Sequence, residues 1–189
     1  MSKKDSKTDL KRIKEELKKN AIILVVVPHE KYLKFMIGLA KELAASQKQT
    51  CYVTSNRPYV ALVRTFKDNK INVNKFFFID AVTKSIGEDV KKIKNCVFVK
   101  SPYDLVGLAI SISEALKKCN NLLFDSLSSL LLYEKPQNIM KFVHNIVNRI
   151  RVVGNVAAIF VILKGDVDAK LIKDFSMFID DIIELQSRR

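Results

Sequence analysis

The residues best placed to do chemistry lie at the end of an apolar run, Leu122-Leu123-Phe124-Asp125-Ser126. A carboxylate there can hold a ligand, because open α/β sheets place their sites at the carboxyl ends of their strands. It can also be satisfied by N–H groups of the turn that follows. Ser126, Ser128 and Ser129 offer hydroxyls. No histidine stands in register with them and Gly-x-Ser-x-Gly is absent, so they read as cap or turn residues rather than nucleophiles. His29 and His144 lack the cysteine or carboxylate spacing of a metal site, and no metal is expected. Asp166 and Asp168 flank Val167, but a calcium loop needs more ligands at regular spacing. Cys51, Cys96 and Cys119 are three and far apart, which argues against a disulfide framework and for a reducing cytoplasm.

A second group sits where an aliphatic run meets a helix. Ile22 to Val27 reads IILVVV and is followed by Pro28-His29-Glu30-Lys31-Tyr32. Proline removes a backbone donor. Glu30 would oppose an anion, at roughly 4 kcal/mol for two unit charges ~4 Å apart at an effective dielectric of about 20. Lys31 and Lys34 supply positive charge, and Tyr32 a hydroxyl on a long arm.

The elements that must position these groups alternate along the chain. Its 189 residues, 48% hydrophobic and 28% charged, suit one globular domain and exclude disorder. No apolar run is long enough to span a bilayer, and the charged start, Met-Ser-Lys-Lys-Asp-Ser-Lys, has no apolar signal core, so no membrane role is expected. Leu10, Ile13 and Leu17 predict a helix over residues 8–19 after a loose tail of seven residues. Residues 1–19 form a basic N-terminal tail and helix, and 20–189 the α/β domain. Strands are predicted at 21–27, 50–54, 76–80, 95–100, 121–124, 156–163 and 177–185. Helices are predicted at 30–46, 59–67, from Ser101-Pro102 onward, from Pro136 onward and at 168–174. Residues 83–94 read as a loop with a short helix, and Leu127 to Tyr133 as a short apolar segment whose Leu130-Leu131-Leu132-Tyr133 could form an interface. Alternation of this kind predicts a mostly parallel sheet with helices on both faces, an α/β/α sandwich.

The order strand, helix, strand, turn, helix, then Leu122 to Tyr133 (LLFDSLSSLLLY), a long helix, and Ala157 to Ile172 (AAIFVILKGDVDAKLI), resembles the RecA/KaiC-like ATPase superfamily. It looks most like small archaeal KaiC-related proteins of unassigned function, over roughly residues 20–185. The resemblance implies a RecA-like P-loop NTPase core in which Asp125-Ser126 corresponds to the Walker B strand end. It also implies a glycine-rich phosphate loop at Pro28 to Tyr32, where glycines let backbone N–H groups wrap phosphates. This chain has no glycine there. A water-polarising glutamate is implied just past the second strand, where Ser55-Asn56 stand instead. One of three catalytic parts remains, so the expectation is a pseudo-ATPase acting as an interaction or regulatory module, with a protein partner or further copies of itself. ATP and magnesium are possible cofactors but are not expected. Two alternatives follow from the same residues. One is an atypical ATPase using Lys31, Lys34 and Asp125. The other is a nucleic-acid-binding recombinase accessory, supported by a net charge of +13 and the lysines of the first twenty residues.

Overall fold

A computed structural model describes residues 3–88 and 90–186. The chain runs α1 (Lys3–Lys18), β1 (Ile22–Val27), α2 (Tyr32–Ala45), β2 (Thr50–Thr54), α3 (Tyr59–Asp68), β3 (Phe76–Asp80), β4 (Cys96–Phe98), α4 (Leu105–Ala115) and β5 (Asn121–Asp125). It continues through α5 (Leu127–Leu130), α6 (Pro136–Val153), β6 (Ala157–Leu163), α7 (Ala169–Phe175) and β7 (Asp181–Glu184). The seven strands form one sheet in the order β4-β3-β2-β5-β6-β1-β7. Every pairing within it is parallel.

The unbroken aliphatic run of β1 follows from this placement, since all six of its residues are buried. Side chains alternate across a strand. Ile22, Leu24 and Val26 therefore enter one core, with α4, α5, α6 and α7. Ile23, Val25 and Val27 enter the other, with α1, α2 and α3. Each such side chain stabilises the fold by roughly 2 kcal/mol relative to exposure. In α6 the buried set Ile139, Phe142, Val143, Ile146, Val147 and Ile150 keeps the helical spacing, and Gly154 at φ +86° ends the helix.

The N-terminal helix is packed on the second core. Ile13 is buried, Arg12 pairs with Asp181 at 2.7 Å and Lys14 with Glu42 at 2.9 Å. Of the loose tail expected over residues 1–7, Met1 and Ser2 lie outside the described residues, and the rest is not loose: the backbone is helical from Lys3, five residues earlier than expected.

Three further boundaries differ from expectation. Helix α4 starts at Leu105, not at Ser101-Pro102; its cap is Asp104, whose carboxylate accepts from the Gly107 N–H at 2.8 Å. A Cβ at Gly107 would lie 2.3 Å from Asp104 Oδ2, so glycine lets the cap close over the first turn. Strand β4 has three residues. The last strand begins at Asp181, because Met177, Phe178 and Ile179 are still turning off the end of α7 through bonds to Asp174 and Phe175. No helix among the described residues is long and apolar enough to cross a membrane.

Candidate functional site

All-parallel pairing brings the carboxyl ends of the strands to one edge. Asp125 ends β5 there, in register with Thr54 of β2, and Thr54 pairs on its other side with Asp80 of β3. Asp125 is 1% exposed. Its carboxylate accepts from the Tyr32 hydroxyl on one oxygen and the Tyr52 hydroxyl on the other. The Asn56 side-chain N–H donates to the Tyr32 oxygen at 2.7 Å and stands 3.4 Å from Asp125 Oδ1. The Arg57 guanidinium lies 5.9 Å from the centre of the Tyr32 ring. Three elements thus converge on one carboxylate: the first residue of α2, the middle of β2, and the loop after β2.

Electrostatics fix who donates. Burial pushes the Asp125 carboxyl above its usual range, opposed by the two phenol bonds and Arg57. Burial and the neighbouring Asp125 charge push both phenols well above their usual value. At neutral pH the tyrosines stay protonated donors.

The segment Pro28 to Tyr32 is a single tight turn. Pro28 sits at φ −60°, and the Lys31 N–H donates to its carbonyl at 2.9 Å. The Tyr32 N–H is bonded to the His29 carbonyl, so two backbone donors of this turn point into the turn itself. His29 Nε2 meets Asp166 Oδ1 at 2.9 Å, and the Lys31 ammonium donates to the backbone carbonyl of Gln186. His29 and Lys31 are thus engaged by neighbours within the chain.

Ser55 is buried and stitches β2 to the turn after β5. Its N–H donates to the Asp125 carbonyl at 2.9 Å, and its hydroxyl contacts the Ser126 carbonyl at 2.9 Å and the Ser129 hydroxyl at 2.6 Å. The Ser126 N–H donates back to Ser55 Oγ at 3.1 Å. Ser128 Oγ accepts from the Leu163 N–H at 2.7 Å. Asp168 caps α7 by accepting from the Leu171 N–H at 2.7 Å. His144 lies apart on α6, against the Phe178 ring at 5.2 Å. Among the described residues no group of three or more His, Cys, Asp or Glu side chains is arranged to hold a metal ion. The three cysteines are buried thiols, and burial raises all of them, Cys96 to about 12 and Cys119 to about 11.

Tyr52 is the residue that sequence reasoning missed. It stands in the middle of a strand, and its partner is 73 residues away. The one available signal was a polar-tipped aromatic inside a fully buried strand, since such a hydroxyl needs a partner.

Residues 42–185 match the model of a family described as a family of unknown function, DUF7504. No curated protein matches the chain. Among solved structures, the chain is similar to the KaiC-like protein PH0186 from the hyperthermophilic archaeon Pyrococcus horikoshii OT3. The TM-score is 0.62 at 14% identity, over 90% of this chain and 75% of that one. It is also similar to the flagellar accessory protein FlaH from Methanocaldococcus jannaschii, with a TM-score of 0.55 at 12% identity, over 87% of this chain and 70% of that one. At such identities the likeness is one of fold, and the fold is the RecA/KaiC-like α/β sandwich.

Proposed function

The chain belongs to the family of unknown function DUF7504, and from that premise we propose that it is a non-catalytic RecA/KaiC-like domain, an interaction or regulatory module that works in the cytoplasm by binding protein partners. The observation that carries the reading is the Tyr32 phenol seated on Asp125. A magnesium ion serving phosphate transfer needs oxygen ligands with lone pairs turned toward it and room for its waters. Here both Asp125 oxygens face phenol protons, and the carboxylate is closed off from solvent. A triphosphate needs a run of free backbone N–H groups. Pro28 has none, and those of Lys31 and Tyr32 close the turn. Ser55 and Asn56, standing where the resemblance asks for a glutamate, are not bases and are engaged in structural bonds. These residues do not fit a magnesium nucleotide, and no step through one is derived.

The test is thermal. A ligand that binds only the native state at about a hundred times its Kd stabilises by about 2.7 kcal/mol. The melting temperature is expected to stay unchanged at millimolar ATP with magnesium. A clear rise, together with magnesium-dependent phosphate release by the purified chain, overturns the proposal.

A further inference from the structure

One face of the molecule is apolar and exposed, with two lysines at one end. Beside the short edge strand β4, a groove of about 590 Å³ is floored by Phe77, Val97 and Ile110. Val97 is 40% exposed and Ile110 59%. The stripe continues one helical turn back to Val106, 71% exposed, then to Tyr103, whose ring lies 5.6 Å from that of the exposed Tyr133. An apolar patch with a polar rim marks an interaction surface. Lys117 and Lys118 line the groove; Lys117 is held by Glu114 at 2.7 Å. Lys118 has no carboxylate partner among the described residues.

We propose that this face binds an acidic amphipathic helix of another protein, its apolar side in the groove and its carboxylates toward Lys117 and Lys118. The proposal rests on the reading above only in taking the chain to act by binding. Two observations choose the occupant. Strand addition is disfavoured, because the chain's own Ile93 already bridges Cys96 in antiparallel fashion and the strand is three residues long. Recognition then falls to side chains in a groove, the mode suited to a helix with anchors three and four residues apart. A second copy is disfavoured by charge. A twofold interface sets the same patch against itself, bringing these lysines together in a chain whose net charge is +13. An acidic partner turns the same lysines into complementary contacts.

The experiment uses the full chain and, as probe, a stapled fluorescent helix of about 16 residues with leucine along one side and glutamate elsewhere. Binding is followed by anisotropy and by amide chemical shifts. The expected result is saturable binding with shifts at Val97, Val106 and Ile110. It should weaken about tenfold in Ile110→Glu and in Lys118→Glu and stay unchanged in Val152→Glu, an exposed position on α6. The three substituted side chains are exposed, and an unchanged melting temperature verifies that each variant folds. No binding at millimolar probe, binding indifferent to Ile110→Glu, equal binding of a lysine counterpart or of short duplex DNA, or a dimer that Ile110→Glu dissociates would each overturn the proposal. Phosphate release is assayed on the same preparation. A chain that hydrolyses ATP yet binds the helix refutes the pseudo-ATPase reading alone; one that does neither refutes this proposal alone.

Discussion

Two buried aspartates flank Thr54 on neighbouring strands and are satisfied in opposite ways. Asp80 is held by main chain, from the loop that follows it and from the start of α3. It accepts from the backbone N–H groups of Tyr59, Val82 and Thr83 at 2.7, 2.7 and 2.9 Å, and from the Thr83 hydroxyl. Asp125 is held by two phenols and an amide that arrive from elsewhere in the chain. The first arrangement is a turn, built from main chain that any sequence of similar shape could provide. The second depends on particular side chains and disappears if they change. That is why the Asp80 end of the sheet reads as scaffold, while the Asp125 end depends on side chains brought together from three elements.

The contrast can be broken most severely at Asp80. Asp80→Ala strands three backbone donors in a largely buried loop, and each unsatisfied buried group costs on the order of 1–3 kcal/mol. A loss of about 4 kcal/mol in chemical denaturation is expected, and a loss under about 1 kcal/mol would mean that water reaches the loop and the turn is not what holds β3. Tyr32→Phe removes one donor from a carboxylate that keeps another, and about 1 kcal/mol should go. A much larger loss would show that the phenol, not the strand end, organises the turn from Pro28 to Tyr32.

The smallest effect is a slope. The folded-state pKa of Asp125 is raised above 3.8 by burial. Its contribution to stability is therefore fully present below the unfolded value and is lost as pH rises through the folded one. Asp125→Asn carries no such proton. The stability of the native chain relative to this variant should decline from about pH 4 upward, measured by urea unfolding across pH. A difference that grows with pH would show that the phenol bonds outweigh burial.

Most of the scaffold was legible, because long elements advertise their period. The aliphatic run of β1 and the spacing Ile139, Phe142, Val143, Ile146 in α6 each allow one placement. Helix α4 was misplaced at its start because Ser101-Pro102 carries local capping chemistry, whereas the true cap depends on a close approach that only Gly107 permits. At the site, Asp125 was readable as a strand-end carboxylate, and Tyr32 as a hydroxyl on a long arm. That this hydroxyl reaches Asp125 was not readable. The two are 93 residues apart, and nothing local to either names the other.

One feature of the sheet reaches beyond its own packing. With all seven strands pointing the same way, the main helices run back against them and end at the opposite edge, and Lys18, Lys67 and Arg151 lie in three of those last turns. Lys117 and Lys118 follow α4 to the same edge, beside the groove. Cations there complement the carbonyl ends of the helices, and three of them are matched by carboxylates as well: Lys18 by Glu15, Lys117 by Glu114 and Arg151 by Asp180. That edge is a mosaic of exposed paired charge, so added salt should loosen it by only a little.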